Sequence, residues 1–335
     1  MELSKKIRSL IFLIAINIFL ASFFFVRHST PSDYEYSALI TDPDIDLMPP
    51  SVTTSEYRFC YKENSSTIVF LDVTPPKNAT ESWGWIESCS FITAALHNQG
   101  NGVCVLTLRK QLIEGVATKG TPSQLSRFNN VEIAPLNASL IFEDTPAHDW
   151  YLNYALNRKK RSRFIVYELS DALRYAYLYK YGGKYMDTDS WTLRNLDSLT
   201  NVVGWQFPGS IANGVLFFEP RHPFMRAALE SIQKYFISGV WGSIGPEMIS
   251  KIHKRGLVDK KIYRVVPTHI FFPVPWSHFR LAFHTKAVDY MRRASKNSFA
   301  LHIYGFMVRR ARLDKALPIR GSFVGKLFYK YCNRF

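Results

Sequence analysis

The stretch "YGGKYMDTDSW", residues 181–191, places two carboxylates, Asp187 and Asp189, with a single residue between them, just after a pair of glycines. That spacing suits either a polar turn or the binding of a hard divalent ion. Mg²⁺ and Mn²⁺ take oxygen ligands and commonly bind through one or two carboxylates plus substrate phosphates. Upstream, Asp171 and Arg174 stand three residues apart and share a face if the segment is helical. On a surface such a pair contributes little. Directed at the two aspartates, it makes three carboxylates against one guanidinium, a costly arrangement without a cation or a polyhydroxylated ligand. Two other uses of Asp-x-Asp fit less well. An aspartyl-nucleophile phosphatase normally carries Thr or Val two residues after the second aspartate, where this chain has Trp191. A calcium loop wants further Asp or Asn and a later glycine, which "SWTLRN" lacks.

The elements around these residues alternate between strand and helix. "TIVFLDV", "GVCVLTLR" and "NVEIAPL" read as buried strands, with "WIESCSFITAALHNQ" helical between the first two. Such alternation predicts an α/β fold with a parallel, doubly wound sheet. A long helical stretch is expected over roughly Trp150 to Tyr181, with Val166, Leu169, Leu173, Ala176 and Tyr177 at helical spacing. It ends at Gly182-Gly183, where glycine tolerates positive φ. "KYMDTD" then reads as a short strand running into a loop. This places the aspartates at the carboxyl end of a strand, where open α/β sheets hold their ligands. The basic run Arg158, Lys159, Lys160, Arg161 and Arg163 reads as a solvated face, with proteolytic processing as its alternative.

The segment "LSDALRYAYLYKYGGKYMDTD" closely resembles the sugar-binding, DXD-containing region of retaining glycosyltransferases, and more narrowly the α-1,4-galactosyltransferase / α-1,4-N-acetylglucosaminyltransferase family. "ESCSFITAALHN", Trp150-Tyr151, "NGVLFFEPRHPF", "GPEMISKI" and "FFPVPW" resemble further family segments in order, over about Trp85 to Val308. The resemblance implies a GT-A-like nucleotide-sugar-binding domain with a mostly parallel central sheet, and retaining transfer from a UDP-sugar with Mn²⁺ or Mg²⁺. It implies Asp187 and Asp189 as the catalytic DXD pair, with Asp189 on the metal and Asp187 at ribose or sugar. Asp171 and Arg174 would hold hydroxyls of the donor hexose, and Asn213 and Gly214 would line the floor beneath it. Gly245 and Pro246 would start a helix on the acceptor side. The family closes with a His-x-Trp-Asn element, whereas "LHIYGF" keeps His302, a candidate metal contact, but has Tyr304 and Gly305. That departure leaves an alternative, a catalytically inactive lumenal sugar- or nucleotide-binding protein. Donors consistent with the family are UDP-galactose and the UDP-N-acetylhexosamines, and the expected acceptor is a glycolipid or other glycan.

The N-terminus addresses location. Leu10 to Val26 is an apolar run interrupted only by Asn17 and Ser22, preceded by Lys5, Lys6 and Arg8. Its length suits a membrane helix of roughly 17–25 residues, and the preceding charges keep the N-terminus cytosolic. Bulky Phe23, Phe24 and Phe25 stand where a cleaved signal peptide wants small residues. The expected organisation is therefore a cytosolic tail (1–9), a signal-anchor helix (10–26), a Ser/Thr/Pro/Asp-rich lumenal stem (27–58) and a catalytic domain (59–335), in a single-pass type II Golgi membrane protein. Sequons at Asn64, Asn78 and Asn137 agree with a lumenal body. The four cysteines, Cys60, Cys89, Cys104 and Cys332, permit two disulfides in three connectivities, or four buried thiols. With 42 Lys+Arg against 27 Asp+Glu the chain is basic. That favours anionic partners, but no nucleic-acid-binding signature accompanies it.

Overall fold

The computed structural model describes residues 54–74, 82–113, 124–240 and 242–333. The apolar run Leu10–Val26 and the sequon at Asn78 lie outside the described residues. Among the described residues no helix is long and apolar enough to cross a membrane.

The core is a seven-stranded mixed sheet. Its strands are β1 (Ile68–Asp72), β2 (Val103–Thr107), β3 (Val131–Pro135), β4 (Gly183–Met186), β6 (Val202–Phe207), β7 (Ser210–Phe218) and β8 (Arg264–Val266), in spatial order β3-β2-β1-β4-β7-β6-β8. The pairs β1·β2, β2·β3, β1·β4 and β6·β8 are parallel. Strand β7 runs antiparallel to both its neighbours, β4 and β6. A wholly parallel sheet is thus not what forms: one reversed strand lies within a mostly parallel sheet. The reason is local. β6 and β7 are separated by only two residues, Pro208-Gly209, with Gly209 at φ +81°. A connection that short can only turn back on itself, whereas a parallel crossover needs a dozen or more residues. A second sheet pairs β5 (Ser190–Thr192) with β9 (Ala300–His302), antiparallel, matching Ser190 with His302.

The principal helices are α1 (Trp85–His97), α2 (Ile165–Tyr181), α3 (Pro223–Tyr235), α4 (Pro246–Arg255), the short α5 (Gly305–Arg310) and α6 (Phe323–Tyr331). The helix expected from Trp150 to Tyr181 is shorter and begins at Ile165. A short π-turn spans Tyr151–Ala155 and a 3₁₀ turn spans Arg158–Lys160. The break is stabilised by Ser162, whose hydroxyl accepts from the Phe164 N–H (2.9 Å) and donates to Glu168 (2.9 Å). The basic run lies in this irregular link, with Arg158, Lys159, Lys160 and Arg163 exposed.

The cysteines pair as Cys60–Cys104 and Cys89–Cys332, which settles the connectivity the sequence left open. The first ties the start of the described chain to β2. There the Glu132 carboxylate also accepts from the backbone N–H groups of Arg58, Phe59 and Cys60 at 2.8–2.9 Å. The second bridges 243 positions and fastens α6 to α1. Asn64 is exposed; Asn137 is half-buried, with its carbonyl oxygen capping a short helix through the Leu140 N–H (3.0 Å).

The two glycines that precede the aspartates are there for space. Gly182 has φ +69° and Gly183 φ +115°. A β-carbon on Gly183 would lie 2.7 Å from the Thr67 carbonyl oxygen, a backbone atom that cannot swing aside. This close approach lets β4 enter the sheet beside β1 immediately after the helix. Gly183→Ala is therefore expected to lower the unfolding free energy by at least roughly 1–3 kcal/mol from backbone strain alone. Gly100→Ala, at an exposed site with nothing within 4 Å, should stay within about 0.5 kcal/mol of the parent. Urea denaturation of the pair checks this, and equal stabilities would overturn it.

Candidate active site

The site assembles where α2 ends, β4 runs out and β7 passes alongside. Arg174 is its fixed point. Its Nη2 lies 3.0 Å from Asp171 Oδ1 and its Nη1 lies 3.1 Å from Asp187 Oδ1. Nη1 also donates to the Asn213 carbonyl (2.9 Å), and Nη2 to Ser170 Oγ (2.8 Å). The guanidinium packs over the Tyr185 ring, 4.7 Å from its centroid. The Tyr185 hydroxyl donates to Asp187 Oδ1 (2.5 Å). Burial drives the Tyr185 pKa well above its ordinary value, so it remains a donor.

Asp187 is tuned by opposing effects. Burial acts to raise its pKa, but the Arg174 charge and the hydrogen bonds from His302 and Tyr185 outweigh it and hold the carboxyl below its ordinary value. Asp171 goes the other way: burial wins over Arg174 and Asn213 and raises its pKa. Asn213 Nδ2 donates to Asp171 Oδ1 (2.8 Å) and to the Tyr175 hydroxyl (3.2 Å), which in turn donates to the Ile244 carbonyl (3.1 Å). Thus the two aspartates expected to play different parts experience different electrostatics.

His302 completes the cluster from a distant part of the chain. Its Nε2 lies 3.3 Å from both Asp187 Oδ2 and Asp189 Oδ1. Burial works to lower its pKa, yet the Asp189 and Asp187 carboxylates prevail and raise it. The other Asp189 oxygen accepts from the Gly305 N–H (2.6 Å) at the start of α5. Gly305, one of the two departures from the family's closing motif, therefore orients Asp189 through its backbone. The other, Tyr304, bonds the Val274 carbonyl through its hydroxyl (2.8 Å).

The donor set fits a divalent cation. One atom each from Asp187, Asp189 and His302 lies within 4.8 Å of the others. Ligands about 2.1 Å from one ion sit about 3 Å apart when adjacent, close to the 3.3 Å found from Nε2 to each carboxylate. The charge agrees as well. Asp171, Asp187 and Asp189 against Arg174 leave two formal negative charges with a neutral imidazole. Two carboxylates and one imidazole together form a donor set that a divalent cation can take.

Beside the cluster is a cavity of about 180 Å³, lined by Asp171, Arg174, Asp187 and Asn213 and by Gly242 to Ile244 and Pro246 opposite. It is smaller than the roughly 300–1,000 Å³ of pockets that enclose drug-sized ligands, and so suits one sugar ring. Glu168, which the sequence did not single out, is in its wall. Its carboxylate accepts from the Tyr154 hydroxyl (2.6 Å), the Ser162 hydroxyl and the Gly239 N–H (3.3 Å). It joins α2 to the loop that leads into Gly245 and Pro246.

The expected glycines lie where contact is closest. A β-carbon on Gly214 would meet Asp187 Oδ2 at 2.4 Å and His302 Nε2 at 3.2 Å, which puts Gly214 on the metal side of the cluster. One on Gly245 would meet Asp171 Oδ2 at 2.7 Å. Pro246 starts α4 and lines the cavity. Asp171, Arg174, Asp187, Asp189, Asn213, Gly214, Gly245, Pro246 and His302 thus gather in one place. Asn64 and Asn137 stand apart from it. Tyr185, Tyr175 and Glu168 were missed because aromatic residues and a helical glutamate carry no local signal of a site.

Comparison with known proteins agrees with this geometry. Residues 87–203 match the glycosyltransferase sugar-binding region containing the DXD motif, and residues 217–335 match the α-1,4-glycosyltransferase conserved region. Lactosylceramide 4-alpha-galactosyltransferase of Homo sapiens is 30% identical over 277 residues, covering 79% of this chain and 75% of that protein. Alpha-1,4-N-acetylglucosaminyltransferase of Homo sapiens is 30% identical over 224 residues, covering 63% of each. A solved structure, PaToxG glycosyltransferase, superposes with a TM-score of 0.43 at 17% identity, over 59% of this chain and 71% of that one. With its DXD carboxylates, their histidine and the sugar-sized cavity in one cluster, the chain belongs to the α-1,4-glycosyltransferase family and is a hexosyltransferase.

Proposed function

We propose that the protein is a Golgi-resident, single-pass type II membrane enzyme that uses a UDP-sugar and Mn²⁺. It moves galactose or an N-acetylhexosamine, with retention, onto the terminal sugar of a glycolipid to form an α-1,4 linkage. The observation that carries this reading is the Asp187–Asp189–His302 cluster beside the Asp171–Arg174 cavity. A divalent cation held there would offset charge developing on the departing diphosphate.

The chain's own groups suit the remaining tasks. Asp171 offers an acceptor to sugar hydroxyls, and Asn213, whose two amide hydrogens go to Asp171 and Tyr175, offers its side-chain oxygen. Arg174 holds both aspartates in place. During transfer the bond from C1 to the β-phosphate oxygen breaks and both electrons pass to that oxygen. The acceptor hydroxyl oxygen bonds C1 on the same face and gives its proton to the departing diphosphate. Attack on the same face is favoured over a covalent carboxylate intermediate. The cavity's carboxylates are already engaged: Asp171 and Asp187 by Arg174, and Glu168 by Tyr154 and Ser162. The departure at Tyr304-Gly305 does not favour an inactive protein, because the Gly305 amide orients Asp189.

Asp189→Asn is expected to lower transfer by at least 10²–10³-fold and to weaken Mn²⁺ binding in calorimetry while leaving thermal unfolding unchanged. Full activity in that variant, or in excess chelator, would end the proposal. Glu168→Gln, which loses a charged acceptor for the loop, should reduce kcat/KM for acceptor about tenfold but leave UDP affinity alone. An equal fall in both would show a general loss of structure instead. For topology, N-glycosidase should increase the gel mobility of the full-length chain, and Asn64→Gln should remove part of that shift. A mature N-terminus near His28 would contradict the membrane anchor. The acceptor and linkage follow from incubating each UDP-sugar with lactosyl- or N-acetylgalactosaminyl-terminated acceptors and analysing the product by NMR. A β-linked product would exclude retention.

A further inference from the structure

A second arginine stands near the Asp189 end of the carboxylate cluster. Arg309, on α5, has its Nη1 2.9 Å from Glu87 Oε1, and its side chain is 47% exposed. A β-carbon built on Gly305 would lie 3.1 Å from Asp189 Oδ2 and 3.2 Å from Arg309 Nη1. The guanidinium and the metal-side carboxylate are thus neighbours, separated by the space that a side chain on Gly305 would fill. Arg309 is also close enough to act electrostatically on Tyr167, which lines the cavity. It therefore sits beside the Asp189 end of the cluster.

The two arginines differ in what they have left to offer. The Arg174 side chain is 6% exposed, and Asp171, Asp187, Ser170 and the Asn213 carbonyl occupy its nitrogens. The pair with Glu87 engages only Nη1 of Arg309, leaving a planar fork of donors with a face to solvent. A half-exposed ion pair of this kind contributes little and is easily shared. A guanidinium meets a phosphate bidentately through charge-assisted bonds about twice as strong as neutral ones.

We propose that Arg309 is a catalytic residue that binds the diphosphate of the nucleotide sugar beside the Asp187–Asp189–His302 cluster, with Glu87 holding the guanidinium ready. This rests on the UDP-sugar reading above. When the glycosyl bond breaks, the leaving diphosphate gains one negative charge, and Arg309 faces the place where that charge appears. The arginine lies seven residues beyond His302, in place of any contribution from the Trp-Asn pair that this chain lacks.

The test is calorimetric binding of UDP and of uridine to the full-length protein in detergent with Mn²⁺. Arg309→Ala should weaken UDP about 10–100-fold, with uridine affinity and nucleotide-free Mn²⁺ affinity unchanged. Arg309→Lys should recover part of the loss. Glu87→Gln, which loosens the hold on the guanidinium, should weaken UDP binding, but by less than Arg309→Ala does. If the parent binds UDP and Arg309→Ala binds it equally well, the inference is wrong and the donor reading stands. If UDP and uridine weaken together, Arg309 supports the fold of the pocket and the inference is likewise wrong. A parent that binds no UDP with any divalent ion would overturn the donor reading and this inference with it.

Discussion

The buried guanidinium of Arg174 is the constraint on which the rest of the site depends. It ties a helix residue, Asp171, to a loop residue, Asp187, and to a backbone carbonyl on β7. Burying such a charge is expensive, and the cost is offset only when all its partners are present. Removal of either aspartate would leave a buried charge short of a partner, a defect that typically costs 3–5 kcal/mol. The same interaction that holds the donor site together also fixes where β4 stops relative to α2. Folding and catalytic geometry are here one set of contacts.

What was legible in the sequence was mostly local. Asp171 and Arg174 share a helix face, the glycine pair ends that helix, and the aspartates follow one short strand. Each of these depends on residues within about twenty positions. The contribution of His302 depends instead on β9 pairing with β5, which sets it opposite Ser190. No periodicity near His302 predicts that partner. The ion pair of Glu87 with Arg309 and the disulfide of Cys89 with Cys332 span more than 200 positions each, and tertiary packing alone decides them. The start of α2 was misread for another reason. The residues before it are as apolar and aromatic as a helix face, but Trp150 and Tyr154 pack on Phe236 at 5.4 and 4.5 Å between ring centroids. That packing belongs to the loop opposite, and it overrides helical continuity.

Two glycines explain why the cluster can be so tight. Gly214 lies against Asp187 and Gly305 against Asp189, and a side chain on either would collide with an aspartate oxygen or nearly so. Both also supply backbone groups: the Gly214 carbonyl accepts from the Asp187 N–H (2.8 Å), and the Gly305 N–H donates to Asp189. The loss of an asparagine side chain at position 305 is therefore not simply a loss. The backbone approaches closely enough to hold Asp189 directly, and the space so opened is where Arg309 comes near.

Strand reversal gives these contacts their frame. Because β7 runs antiparallel to β4, the ladder that pairs Met186 with Val215 continues past the end of β4 and brings Asp187 against Gly214. The small β5·β9 sheet then brings His302 back to the same point from the other direction. Asp187 belongs to the first ladder's end and Asp189 to the second ladder's beginning, with a single residue, Thr188, between them. One aspartate is thereby held by Arg174 and Tyr185 and the other by a backbone amide, which is why two carboxylates two residues apart can take different parts in one reaction. A single-residue spacing matters because it is the shortest link that lets neighbouring carboxylates be held by two different sheets while still converging on one ion.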